Sequence, residues 1–344
     1  MGFGRAFPVG PGPVGEVGRD LLHHLHRYDP DFCFKWRRVT ERNDRPMSDS
    51  IRRFEWDDAL PGLCSDEFVV QVTDAMIFDY KDATGDSSRE TAGTQVTPLG
   101  YVFVAAPQRR HALMGSVGCH APEQDTEEPR STPYVGSNVR FHRAIEPGDT
   151  VRSVTVLDRK FERAGNRFVV FRVDATDADG EPIADYDYTC LWERGSAGTP
   201  RSSSRSAPAT VQYVRSRTGT VLVKSETAET IAAYGRLHVG RPDDWLSTHT
   251  NEEFARTAIF GGVVNTGVAT VGYTAQWLDL VERPGILWNG GRFESRAFSP
   301  VQAGDDLYIT GERREGEGEL VYEIVAVNQS GVTAFRSVAT IPGA

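Results

Sequence analysis

Lysine is nearly missing from this 344-residue chain. It occurs only at Lys35, Lys81, Lys160 and Lys224, and the remaining basic charge is arginine. The balance is acidic, with a formal net charge of −10. Binding along a phosphate backbone wants a basic face, so nucleic acid is not expected as the main partner. A small anionic ligand met by a few local arginines stays open. Cysteine is as sparse: Cys33, Cys64, Cys119 and Cys190 stand singly, with no CxxC pair and no Cys/His cluster. Neither a disulfide framework nor a metal site is therefore expected. No stretch approaches the ~20 apolar residues that a membrane helix needs. Met1 to Gly18 has no apolar core followed by a cleavage site, so the cytoplasm is the expected location.

What remains is a globular composition, 39% hydrophobic and 25% charged, on a chain long enough for two ordinary domains. Residues 1–61 read as an irregular extension. Within it Gly10-Pro11-Gly12-Pro13-Val14-Gly15 formally matches GxGxxG, but two prolines interrupt it and no apolar strand precedes, so a nucleotide cofactor is not expected. His23, His24 and His26 lie in a short amphipathic run that reads as a solvated helix rather than a metal site. Regular patterning begins only after Met47. A second irregular stretch, 195–209, is rich in Ser, Pro, Gly and Arg and reads as a linker. It separates two comparable halves, 62–194 and 210–344.

The halves repeat each other. Arg140, Ile145 and Gly148-Asp149 share their spacing with Arg296, Val301 and Gly304-Asp305. Each Gly-Asp opens an alternating strand, Thr150 to Leu157 and Leu307 to Thr310. A hairpin follows in each half. Phe168 to Thr176 and Pro182 to Trp192 flank a turn ending in Gly180; Leu320 to Val327 and Val332 to Ile341 flank one ending in Gly331. The offset between halves is 156 residues at the Gly-Asp pairs and 151 at the turn glycines. Upstream, each half has one helix-like segment of small and apolar residues, Pro98 to Ala106 and Thr266 to Val281. In the second, Val268, Val271, Ala275, Leu278 and Val281 fall near helical spacing. One buried helix and several antiparallel strands per half is an α+β order.

The chemistry-bearing residues concentrate in the second half, from Asp244 to Gly267. Acid–base work on water needs one group that accepts a proton and one that returns it. Asp244 and His249, five residues apart on an irregular segment, can converge on one point. A glycine opening a buried helix offers a backbone N–H with the positive end of the helix dipole behind it, and Gly267 stands there. A plainer reading remains: an Asp before a polar run often caps a turn, and a lone His near apolar residues is often structural.

This stretch resembles the hydratase-2 motif of MaoC-like proteins. Asp244, His249, Phe254, Ala255, Phe260-Gly261-Gly262 and Gly267 stand at the matching places. The first half resembles the N-terminal unit of tandem members, through Val72-Thr73-Asp74, Tyr80 and Asp82-Ala83-Thr84-Gly85-Asp86. After Asp86 comes Ser87-Ser88-Arg89-Glu90-Thr91-Ala92, with no histidine at the catalytic spacing. The resemblance implies a double hot dog, each half a central helix wrapped by an antiparallel sheet. It implies a silent first half that makes room for an acyl chain. It also implies syn addition or removal of water across a 2-enoyl thioester carried on CoA or acyl carrier protein, without metal or redox cofactor. Asp244 and His249 would be the acid–base pair. Gly267 N–H would stabilise the thioester oxygen, and Phe260, Asn265 and Thr266 would contact substrate. A homodimer is compatible with this reading.

Three departures stand out. Ser247-Thr248 replaces the family's Asn-Pro, and Thr266 replaces a histidine. The segment from Tyr234 to Asp244 is also four residues longer than that from Tyr80 to Asp86, which leaves Asp243 as the alternative to Asp244. Two rivals follow: a hot-dog thioesterase, and a hot dog that binds a ligand without catalysis.

Overall fold

The sequence repeat is also a repeat in space. The computed structural model describes residues 52–86, 96–125, 128–195, 219–237, 247–315 and 318–343. The glycine-rich motif and the three N-terminal histidines lie outside these residues, as do nearly all of the 195–209 linker, residues 87–92, and both Asp243 and Asp244.

The first half opens with β1 (Arg52–Arg53), β2 (Phe68–Gln71) and α1 (Asp74–Thr84). A 3-10 turn at Leu99–Tyr101 runs into α2 (Val102–Ala105), followed by α3 (Arg110–Ser116) and β3 (Cys119–His120). Then come β4 (Tyr134–Phe141), β5 (Thr150–Arg163), β6 (Asn166–Thr176) and β7 (Pro182–Glu193). The second half repeats the scheme with β8 (Leu222–Ser225), α4 (Ala228–Arg236), α5 (Glu252–Thr257) and α6 (Gly267–Val281). It closes with β9 (Arg292–Ala297), β10 (Asp306–Glu315), β11 (Glu319–Asn328) and β12 (Thr333–Pro342).

Ten strands form one sheet in the order β2-β5-β6-β7-β4-β9-β12-β11-β10-β8. Five come from each half, in mirrored order, and the halves join where β4 pairs antiparallel with β9. Asn138 pairs with Glu294 there, and these two are equivalent under the 156-residue repeat. A strand pair that matches a residue with its own counterpart marks a local two-fold axis. This is the expected double hot dog. The strands run further than alternation alone indicated, β5 to Arg163 and β10 to Glu315. Their outer ends are charged and held by ladder hydrogen bonds rather than by burial.

Helix α6 is buried nearly all round, from Val268 to Asp279. Its residues carry little side-chain bulk up to the crossing and more beyond it, at Tyr273 and Trp277. Trp277 is fully buried, donates from Nε1 to Thr220 O (3.0 Å) and packs edge-on against Tyr322. Burying an aromatic of this size contributes roughly 2–3 kcal/mol. Where α6 passes the first half's 3-10 turn, Gly272 faces Gly100. A Cβ on Gly100 would lie 2.8 Å from Gly272 Cα and 2.2 Å from the Tyr80 hydroxyl. The first half's central helix is shorter than the expected 98–106, because the chain leaves helix at Ala106 and Pro107 follows.

The equivalent tyrosines Tyr80 and Tyr234 meet at the centre, both fully buried, with rings 6.1 Å apart. Lys224, one of the four lysines, ties the halves together. It donates to the carbonyls of Thr84 (2.7 Å) and Gly85 (2.8 Å) at the C-terminal end of α1. Burial lowers its ammonium to about 8, against the pull of Asp86 and Glu226.

The first half has a second core on the outer face of its sheet. Phe54, Ala59 and Leu63 pack there with Leu113, Met114, Leu157, Phe171 and Trp192. Packing in this half therefore reaches back to Arg52, whose β1 pairs in parallel with β3, and takes in the last ten residues of the stretch read as an extension.

Asp279, near the end of α6, is 6% exposed. Burial pushes its carboxyl up to about 8, although the Gly285 N–H donates to it (2.9 Å). Below about pH 4 the group is protonated in both folded and unfolded chains and has no effect on stability. From there to about pH 8 the unfolded chain ionises while the folded one keeps its proton, so stability falls as pH rises, by about 1 kcal/mol per pH unit or less. Asp279→Asn removes this term. Its melting temperature is expected to exceed that of the unmodified protein at pH 8, with the gap closing towards pH 4. Equal melting curves at pH 8 would show that this carboxyl is not held neutral.

Candidate active site

The segment before α6 is built by a chain of local bonds. Thr266 is the N-cap; its hydroxyl accepts from Ala269 N (3.3 Å), one of the donors that a helix start leaves without a partner. Asn265 is buried. Its Oδ1 accepts from Thr266 N (2.8 Å), its Nδ2 donates to Glu226 (3.2 Å), and its own N–H donates to Val301 O (2.8 Å). Glu226 is itself buried; burial raises its carboxyl, opposed by hydrogen bonds from Tyr273 and Thr230 and by Lys224. The first half has Val72 at the equivalent place, with the same backbone bonds to its Gly-Asp.

His249 sits beside this entry. Thr248 O accepts from Val264 N (3.2 Å), and His249 Nδ1 lies 2.7 Å from Val264 O. A carbonyl only accepts, so Nδ1 carries the proton and the neutral ring has its lone pair on Nε2. Ser247, one of the departures, is buried, and its hydroxyl accepts from His249 N (3.1 Å). The other departure, Thr266, serves as the helix cap. Both therefore have local structural work in this chain.

His249, Phe254, Phe260, Asn265, Thr266 and Gly267 all line one cavity of about 320 Å³, at the small end of ligand sites. Of the expected site residues, the structure brings His249, Phe260, Asn265, Thr266 and Gly267 together. Asp244 lies outside the described residues. Asn265 faces the cavity, but its side chain is committed to Glu226 and the helix start.

The far wall comes from the first half. Tyr134 on β4 packs directly on Gly267, where a Cβ would fall 2.1 Å from the ring's Cδ1. Its hydroxyl bonds Ser137 and Ser295 (both 2.8 Å), and its ring stacks on Phe335. Tyr134 and Glu226 were not singled out from the sequence. Setting the two repeats in register would have exposed Glu226, as a carboxylate where the other half has valine. Tyr134 carries no such signal. Among the described residues no group of three or more His, Cys, Asp or Glu is placed to hold a metal ion.

No family model matches the chain. A UPF0336 protein of Saccharopolyspora erythraea is 41% identical over 59 residues, 17% of this chain. The match spans only 37% of that relative's length. Solved structures match over far more. A MaoC-like dehydratase covers 81% of this chain and 98% of its own, at TM-score 0.61 and 16% identity. A conserved hypothetical protein of Mycobacterium tuberculosis, described as having a double hot-dog fold, covers 84% of this chain and 98% of its own, at TM-score 0.52 and 16% identity. The chain thus has the double hot-dog fold, shared with a solved MaoC-like dehydratase along most of its length.

Proposed function

We propose that this protein adds or removes water across a 2-enoyl or 3-hydroxyacyl thioester carried on CoA or acyl carrier protein. The observation that carries the reading is the meeting, on one cavity, of His249 in its Nδ1–H form and the N-terminus of buried helix α6. Asp244, five residues before His249, is the second member of the pair.

In hydration, the pair holds a water against the β-carbon. One O–H bond breaks as the oxygen bonds to that carbon, and Nε2 of His249 accepts the proton. The electron pair of the double bond moves towards the thioester carbonyl. The charge developing on that oxygen meets Gly267 N–H, whose position in the first turn leaves it without an intrahelical acceptor. Asp244, entering as the carboxylic acid, gives its proton to the α-carbon, which restores the thioester, and the proton on His249 then passes to the Asp244 carboxylate to reset the pair. Dehydration is the reverse.

Incubation with 2-octenoyl-CoA in the presence of a thiol reagent separates this from hydrolysis. Loss of the enoyl absorbance without release of free CoA is expected. Free CoA with the enoyl group retained would make the protein a thioesterase, and neither change would leave it a binder.

A further inference from the structure

The two halves differ around the start of the central helix in a way that the shared fold does not require. Asn265 N donates to Val301 O (2.8 Å); in the first half Thr97 stands in its place, with its hydroxyl donating to Ile145 O (2.6 Å). Counted on from these two, Tyr273 on α6 matches Ala105. Glu226 matches Val72, and Thr230 matches Met76. Glu, Thr, Asn and Tyr therefore stand in the second half where the first has Val, Met, Thr and Ala. The polar set belongs to the half that carries His249.

The four side chains are joined. Glu226 is 3% exposed. Its carboxylate accepts from Asn265 Nδ2 (3.2 Å), from the Thr230 hydroxyl (3.2 Å) and from the Tyr273 hydroxyl. Burial and Asp305 raise this carboxyl, while Tyr273, Thr230 and Lys224 hold it down. Taking a carboxylate out of water is costly even among donors, and Val72 makes the same backbone bonds without one. The fold thus has an apolar solution at this place, and the first half uses it.

What the carboxylate adds is direction. An asparagine side chain has a donor end and an acceptor end, exchanged by a half turn. An ionised carboxylate only accepts, so it takes Nδ2 and leaves Oδ1 for Thr266 N (2.8 Å). With Thr266 N–H answered and its hydroxyl capping Ala269 N, the next donor along the chain is Gly267 N–H. Glu226 itself is not on the cavity wall.

Resting on the thioester reading above, we propose that Glu226 is a positioning residue for this site. Through Asn265 it fixes the chain at Thr266, and so the direction in which Gly267 N–H meets the thioester oxygen, without touching substrate. Glutamine at this position keeps an acceptor for Asn265 Nδ2. Valine, the first half's residue, keeps none and leaves the amide free to turn.

The test reads the donor as well as turnover. Hydration of 2-octenoyl-CoA is measured for the unmodified protein, Glu226→Gln and Glu226→Val. The carbonyl stretch of bound octanoyl-CoA, which has no double bond to hydrate, is recorded by difference infrared spectroscopy with an isotope label on the thioester carbon. A donor on the carbonyl oxygen lowers this stretch. The unmodified protein and Glu226→Gln are expected to show the lowered band, with kcat within about threefold of each other. Glu226→Val is expected to move the band towards that of the free thioester. Its kcat should fall about tenfold or more with a smaller change in KM, because the contact strengthens in the transition state. If this variant does not fold, Glu226→Val with Asn265→Thr, the first half's own pair, is read in its place. A valine variant with full kcat or an unmoved band would overturn the inference. So would equal losses in the glutamine and valine variants, a loss confined to KM, or a bound carbonyl that is not lowered in the unmodified protein. A lowered band that depends on Glu226, without hydration of any enoyl thioester, would uphold the inference and remove the proposed reaction.

Discussion

His249→Ala and Asp244→Asn are each expected to lower turnover of a 2-enoyl thioester by ~10²-fold or more, the scale of a positioned acid–base group. His249 is half-buried at the cavity, and its ring Nδ1 bonds the Val264 carbonyl. Removing the ring frees that carbonyl to bond water in the space left behind, so the melting temperature should change little. The backbone bond from Val264 N to Thr248 O and the one from His249 N to Ser247 Oγ remain to hold the segment. The double variant should cost little more activity than either single one, because groups that act as a unit are not additive. Steady-state kinetics at the enoyl absorbance, with a thermal melt of each variant, checks both parts. A variant that loses activity together with many degrees of melting temperature would assign His249 a structural role instead.

Gly267→Ala is expected to have the second-largest effect, with a sign opposite to the usual one. Alanine in place of glycine within a helix normally stabilises, by up to ~1 kcal/mol. Here the added Cβ would lie 2.1 Å from Tyr134 Cδ1 and 2.5 Å from Cγ, the root of a ring fixed by Ser137, Ser295 and Phe335. The ring cannot swing aside without breaking these contacts, so either β4 or the start of α6 must move. Overpacking of this kind costs roughly 1–3 kcal/mol. A shifted helix start also misplaces the N–H aimed at the thioester oxygen, for a further loss of about 10²-fold in turnover. A raised melting temperature with activity retained would mean that Tyr134 yields easily and that the close contact has no role.

The parts of the fold that were legible in the sequence are those written in local pattern. The 266–281 helix is rich in small and apolar residues, since it is buried on nearly every side, and the structure places it at Gly267–Val281. The hairpins carried their turn glycines and alternation, and Gly148-Asp149 and Gly304-Asp305 repeated them. The far end of the cavity had no such writing. Arg110, Glu123 and Thr132 come from a stretch without periodicity, and they meet only because α3 folds back against the sheet of its own half. Phe54 and Trp192 were equally silent, because their core lies on the outer face of a sheet whose inner face already accounts for the alternation. His249 was singled out by its spacing from Asp244 and by the resemblance to the hydratase-2 motif, and the structure places it on the cavity. The roles of Ser247, Thr266 and Asn265 were not legible, because each depends on a hydrogen bond to a backbone atom that only the folded segment supplies.

The halves share a fold, and the proposal is that only the second carries the chemistry. Its most direct test compares hydration of 2-octenoyl-CoA by the unmodified protein, Asp244→Asn and Asp86→Asn. Asp86 follows the left-handed cap of α1 at Gly85, and no histidine stands five residues beyond it. Asp86→Asn is expected to keep most of the activity and Asp244→Asn to lose nearly all of it. Loss with Asp86→Asn and retention with Asp244→Asn would put the site in the wrong half and contradict the account.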